Sequence, residues 1–468
     1  MSKEFSSRRI EKPETSLVLA NVGFAWVGDH ADRRLVSGVD LVLRHGRIDE
    51  ITVAAMRPTD ARVIDASSWL VLPGLINAHH HLSQQLTRNL VPSASVVQWL
   101  AECYPRWSRL SADTALAGAR VGLAELLLAG VTTTADLSYY FPRGHADIFD
   151  AQVQAAADVG IRMLAVRGGM RSVGGPVRDL IGSSIDSTVE SAETLLTELD
   201  RVTAAYHDHS PDAMLKVGVG LTEPLWDEPD LMRSLSGFAR HHDLALHTHV
   251  HPRQIDREVT GGVADAFAEV GWWHDRLWVA HGTQLSELEL IAMSEAGVAL
   301  ATCPSSNARL GMQIAPAWDL HLRGGTVAIG VDGAASSDSG DMVGETRLAW
   351  QVQRIRAGVH PEANALTPEL ALSWATNGGA VALGWPGLGE LTVGGLADVA
   401  CFDISRLDYV GSSSPLDALL LCGLSHRASL VVVAGRIVVE DGRLTLLDES
   451  ELADSGRRAA ALLSPSKS

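Results

Sequence analysis

The sequence predicts an α/β fold, a (β/α)8 TIM barrel beside a small β-sandwich formed by the N- and C-terminal segments. Three observations predict it. From about Leu75 to Gly384, short β-branched runs alternate with longer helix-like stretches. Eight such runs occur, the number a closed parallel barrel needs. Both ends of the chain carry short alternating strands, and the N-terminal set is too short to bury a core alone.

The first element, residues 17–70, alternates apolar and polar positions between Gly- and Asp-containing turns, in "SLVLANVGFAWVG", "GVDLVLRHGRIDEITV" and "ARVIDASSWLVLPG". The barrel follows, opening with the strand that ends at "LINAHHH". The next seven strand candidates are "GVTTTAD" (130–136), "IRMLAVRG" (161–168), "LKVGVGLTEP" (215–224), "LALHTHVH" (244–251), "RLWVAHG" (276–282), "VALATCP" (298–304) and "TVAIGVDG" (326–333). Helical stretches separate them, at 112–130, 187–207 and 229–242 among others. After the barrel the β texture returns in "GELTVGGLADVACFD" and "ASLVVVAGRIVVEDGRL", and residues after about 455 read as a helix end and a frayed tail. The expected division is 1–70 and 387–468 for the two parts of the sandwich and 71–386 for the barrel.

Composition narrows the function. The 468 residues are 46% hydrophobic and 20% charged, an ordinary globular balance. A formal net charge of −18 argues against nucleic acid or an anionic membrane surface as a partner, because both require a basic face. The four cysteines, Cys103, Cys303, Cys401 and Cys422, form no CxxC pair and read as reduced, buried thiols. The polar start "MSKEFSSRRIEKPETS" is no secretory signal, and no apolar run approaches the ~20 residues of a membrane helix. A soluble, cytoplasmic protein is expected.

Chemistry in a (β/α)8 barrel sits at the C-terminal ends of the strands, and the histidines gather there. His79, His80 and His81 end the first strand, His247, His249 and His251 the fifth, and His281 the sixth, while Asp332 ends the eighth. Side chains alternate along a strand, so His79 and His81 share the inward face and His80 turns toward the helices. The same alternation puts His247, His249 and His251 on one face without choosing among them. One histidine at a strand end is commonly just a satisfied polar group. Four strand ends converging on imidazoles and a carboxylate instead match the donor set of Zn²⁺ or Fe²⁺ with a position left for water.

With "LPGLINAHHHLSQQLTRNL", "HTH", "VAHG", "CPSSNARLG…IAP" and "GVDGAASSDSGDM" in this order, the chain resembles the amidohydrolase superfamily over essentially its whole length. Within it, the resemblance is to mononuclear heteroaromatic aminohydrolases and triazine hydrolases. It implies one divalent metal per chain, Zn²⁺ in preference to Fe²⁺, held by His79, His81, His249 and Asp332. His281 matches the histidine that contacts metal, water or substrate, and Asp332 also matches the base that takes the proton from the attacking water. Gln84, Trp99 and Asn307 fall where relatives place substrate-pocket residues. Some relatives hold a second metal through a carboxylated lysine on the fourth strand, but Lys216 opens that strand, at the wrong end.

Two departures stand out. Deaminases of this kind carry a glutamate three residues after the fifth-strand metal histidine, and here that position is Pro252, which has no proton to give. His251 and Glu223, the latter at the end of the fourth strand, are the candidate donors. The usual "SASND" is "AASSD", with Ser337 in place of Asn. The expected activity is hydrolytic removal of an exocyclic amino group from a purine, pterin or s-triazine type ring. The alternatives are a triazine-type displacement of chloride, thioether or alkylamine, and a non-catalytic structural relative. A small-molecule N-heteroaromatic substrate and a homodimer are the expected partners.

Overall fold

The computed structural model describes residues 16–53, 58–171, 185–224, 228–250, 263–423 and 425–464. Seven strands precede the barrel: β1 (Leu17–Val22), β2 (Phe24–Val27), β3 (Arg34–Val36), β4 (Val39–Arg44), β5 (Arg47–Thr52), β6 (Arg62–Asp65) and β7 (Trp69–Pro73). The barrel strands are β8 (Leu75–Asn77), β9 (Val131–Ser138), β10 (Arg162–Arg167), β11 (Leu215–Leu221), β12 (Leu246–Val250), β13 (Leu277–His281), β14 (Ala299–Thr302) and β15 (Val327–Ile329). Four more follow: β16 (Val399–Asp403), β17 (Leu430–Val433), β18 (Arg436–Glu440) and β19 (Arg443–Leu444).

β8 to β15 form one parallel sheet in sequence order. Hydrogen bonds just beyond the strand ends join its two edges: Ala78 N–H donates to the Ile329 carbonyl (2.8 Å), and Asp332 N–H to the His79 carbonyl (3.0 Å). β8 therefore stops at Asn77, four residues before the expected end at His81, and His79 and Asp332 are held by the bonds that join the first strand to the eighth. Every residue of β9 and β10 is buried, as strands covered on both faces require.

The chain ends combine as expected. β5-β4-β1-β6 make one sheet, and β19-β18-β17-β16-β7-β2-β3 make the other. β7 and β16 pair antiparallel from Trp69↔Asp403 to Pro73↔Val399, so the second sheet needs both termini. A shared core of Leu19, Val22, Leu41, Ile48, Val71 and Val399 fills the space between the sheets. Beneath the barrel, Arg162 at the start of β10 donates from Nε and Nη2 to Asp398 (3.0 and 2.9 Å). Both side chains are almost fully buried, and Asp398 also accepts from Ala434 N–H.

Two expectations need correction. The expected helix end after about 455 is part of a longer helix, Glu449–Leu463, whose Gly456 approaches Val121 of the barrel helix Ala112–Leu128. Its short apolar stripe hides in a polar sequence, and Asp448 caps it through the Ser450 and Glu451 amides. Cys422 is exposed, unlike the other three cysteines, because it ends the helix Pro415–Leu421 rather than facing a core. Lys216 lies at the floor of the barrel as expected. Its ammonium stands 4.5 Å from the Trp385 ring and lines a cavity of about 220 Å³ with His207, Asp243 and Arg276. No described helix is long and apolar enough to cross a membrane.

Candidate metal centre and active site

The barrel mouth brings His79, His81, His249, His281 and Asp332 together, all of them buried. The donor atoms of His79, His81 and His249 lie within 4.8 Å of one another, as do those of His79, His281 and Asp332. Two of these residues have left-handed backbone, His281 at φ 69° and Asp332 at φ 63°. A non-glycine residue held there is strained by ~1–3 kcal/mol and persists only where its surroundings enforce it, commonly at a functional site.

The second ring nitrogens decide what this cluster is. His81 Nδ1 donates to the Leu137 carbonyl (2.8 Å), and His249 Nδ1 to the Thr222 carbonyl (2.5 Å). A carbonyl only accepts, so both protons sit on Nδ1. Their Nε2 atoms nevertheless face each other at 2.9 Å, and neither has a proton to share. His247 repeats the pattern. Its Nδ1 donates to the Trp278 carbonyl (2.9 Å), which leaves its Nε2 to accept from His79 Nδ1 (2.8 Å). His79 Nε2 is then a lone pair without a hydrogen-bond partner among the described residues, 3.3 Å from Asp332 Oδ1. His281 Nδ1 lies 3.0 Å from Asn307 Oδ1, and its Nε2 lies 3.9 Å from Asp332 Oδ2.

Lone pairs and a carboxylate aimed at one another repel, and a cation among them converts that repulsion into binding. Burial drives His79 to about 3 and lowers His81, which keeps both in the neutral, ligating form at physiological pH. Asp332 lies well below the ordinary carboxylate value despite its burial, so it is a carboxylate at that pH. Four imidazoles and one carboxylate fit a divalent ion of the zinc type, each imidazole oriented by the hydrogen bond of its other nitrogen.

The chain matches the amidohydrolase family over residues 70–438. It belongs to that family.

Similar proteins span the whole fold. An 8-oxoguanine deaminase of Pseudomonas aeruginosa is 39% identical over 433 residues, covering 90% of this chain and 94% of that protein. A hydroxydechloroatrazine ethylaminohydrolase of Pseudomonas sp. (strain ADP) is 31% identical over 445 residues, covering 90% of each. A crystal structure of atrazine chlorohydrolase TrzN from Arthrobacter aurescens TC1, complexed with zinc, superposes with a TM-score of 0.88 at 30% identity. The match covers 96% of this chain and 100% of that one.

Around the metal centre of this amidohydrolase, the other expected residues fall in distinct places. Gln84 is buried, donates from Nε2 to the Tyr139 hydroxyl (3.3 Å), and presents Oε1 without a partner among the described residues. A Cβ at Gly333 would strike that Oε1, so Gly333 lets the amide lie against the turn that follows Asp332. Trp99 donates from Nε1 to the Ala335 carbonyl (2.9 Å) and packs edge-on to Trp107. The contact that engages Asn307 is with His281. Glu223 is buried just past the end of β11, beside the Thr222 carbonyl that orients His249. His80 is buried but outside the donor cluster, as alternation requires. His251 and Pro252 lie outside the described residues. Ser337 Oγ turns back to the Gly333 carbonyl (3.2 Å), while Ser336 Oγ reaches Asp332 Oδ2 (3.1 Å).

Sequence reasoning missed three contributors. His247 is the partner that fixes His79. Alternation had placed it on the right face, but its partner is 168 residues away. Tyr139, buried with its ring 5.0 Å from His81, follows the end of β9 and carried no motif. Burial pushes its phenol up, so it stays a neutral hydroxyl. Ser336 sits inside "AASSD", where its neighbour Ser337 drew attention instead.

Proposed function

We propose that this chain is a mononuclear, metal-dependent aminohydrolase that removes an exocyclic amino group from an N-heteroaromatic ring of the purine, pterin or s-triazine type and releases ammonia. The observation that carries it is the convergence of the His79, His81 and His281 Nε2 atoms on Asp332, with His249 Nε2 against His81 Nε2 and every Nδ1 held by an acceptor outside the cluster. A non-catalytic relative has no need of a buried arrangement that repels itself without a cation. Zinc is the ion we favour, because the donor set suits it and the TrzN structure is complexed with zinc. His79, His81, His249 and Asp332 would hold it.

A divalent ion there supplies Lewis acidity and a nucleophilic water near neutral pH. Asp332, a carboxylate at that pH, takes the proton of the attacking water through the oxygen not bonded to Ser336. As oxygen adds to the ring carbon, the C=N electrons move onto the ring nitrogen, which must gain a proton. His281, held at Nδ1 by Asn307, donates to the developing charge only once its Nε2 is also protonated, so it acts here as the imidazolium. The C–N bond then breaks, and the departing nitrogen leaves protonated as ammonia. We assign the ring-nitrogen proton to His251 or Glu223. Gln84, with its free carbonyl oxygen, and Trp99 would line the ring's pocket.

Pro252 favours one second reading. Chloride, thioether or alkylamine leaving groups depend less on the acid that Pro252 cannot supply, so a triazine-type displacement is the alternative. A screen of purines, pterins, pyrimidines and triazines, monitoring ammonia, chloride and amine release together, tests both. Ammonia from an amino-substituted ring supports the first reading. Chloride or alkylamine release alone supports the second, and no release from metal-loaded protein contradicts both.

A further inference from the structure

The helix Pro304–Arg309 has six residues, far too few to hold its own position, yet consecutive side chains on it reach two of the groups assigned to catalysis. Ser306 Oγ bonds Ser336 Oγ (3.0 Å), which bonds Asp332 Oδ2 (3.1 Å). Asn307 Oδ1 meets His281 Nδ1 (3.0 Å). A shift of this helix therefore moves Asp332 and His281 together.

What fixes the helix is Glu345, on the helix Met342–Ala357. Pro304 occupies the first turn without a donor, and Ser305 N–H is one of the amides a helix start leaves unpaired. Glu345 Oε1 accepts that N–H (2.9 Å), and its Oε2 accepts the Ser305 hydroxyl. Glu345 as a whole is only 5% exposed, which limits the competition of water for its carboxyl. At the other end, Arg309 Nε donates to Asp338 (2.6 Å). Glu345 has no place in the chemistry above, and it belongs to neither donor group of the metal centre.

We propose that Glu345 is a positioning residue, a buried carboxyl whose reach to Ser305 sets the helix Pro304–Arg309 and through it the spacing of His281 and Asp332. This deepens the proposed hydrolase reading and rests on it. Burial raises Glu345 to about 8 even against the downward pull of the Ser305 hydroxyl and amide. Its reach therefore matters more than its full charge.

Two conservative variants separate reach from charge. Glu345→Asp keeps the carboxylate and withdraws it by one methylene, and Glu345→Gln keeps the reach and removes the charge. In Glu345→Asp, kcat should fall ~10–100-fold, the range for residues that orient a metal site's ligands. KM and bound metal should change little. Glu345→Gln should recover most of kcat. ¹⁵N NMR of the zinc-loaded full chain supplies a readout independent of turnover. The His281 imidazole should carry its proton on Nδ1 in wild type and Glu345→Gln, and lose that fixed state in Glu345→Asp. If no ring in the screen turns over, this signal still decides the positioning claim separately from the substrate claim. Unchanged kcat and His281 signals in Glu345→Asp would overturn the proposal, as would Glu345→Gln failing as badly as Glu345→Asp.

Discussion

Asp332 is where the account is most exposed, because one side chain is asked to hold a metal and to move a proton. Asn tolerates left-handed backbone as Asp does, so Asp332→Asn should keep the turn and the fold. Its kcat should drop by at least the ~10²–10⁴-fold of a lost general base. Steady-state kinetics beside circular dichroism checks this, and near-normal turnover would remove Asp332 from the chemistry. His247 gives the matching test of orientation. His247→Leu leaves His79 Nδ1 without its acceptor, and competition with a chelator should show metal affinity lowered ~10–100-fold. His80→Ala should keep its metal, since that ring lies outside the cluster. The inward pair His79 and His81, and His281 and Asp332 at their strand ends, were legible because alternation and barrel polarity are local rules. The His79–His247 bond was not, since it joins the first and fifth strands and appears only once the barrel places them together.

Among the elements, the eight strands and their order could be read from apolar runs, and their ends could not. β8 is shorter than its sequence pattern because pairing with the eighth strand passes to Ala78 and His79 outside regular strand geometry. The helix Glu449–Leu463 was read only as an end, because its contact with the helix Ala112–Leu128 joins residues more than 300 positions apart. The Arg162–Asp398 pair was equally hidden, and it carries a prediction. It joins β10 to the turn entering β16, fully desolvated on both sides. Asp398→Ala would leave the Arg162 guanidinium buried without its carboxylate and the Ala434 amide without an acceptor. A loss of about 3–5 kcal/mol is expected in urea unfolding. A loss below 1 kcal/mol would mean that the barrel floor admits water to Arg162.

For the whole molecule, the two chain ends close one sheet beside a barrel whose mouth is built to be completed by an ion. Sequence composition set the broad class, an ordinary globular balance with a formal net charge of −18. The self-repelling donor cluster emerged only from the assembled barrel. Metal should therefore stabilise the folded chain by mass action, with thermal unfolding shifting upward as zinc is added to chelator-stripped protein. The most direct test of the central claim is elemental analysis of protein purified without chelator, on wild type and His249→Ala side by side. The account predicts about one divalent ion per wild-type chain, as a single open catalytic site holds, and close to none in a folded His249→Ala protein. A wild-type chain that binds no divalent ion, or a His249→Ala chain that keeps a full equivalent, would contradict it.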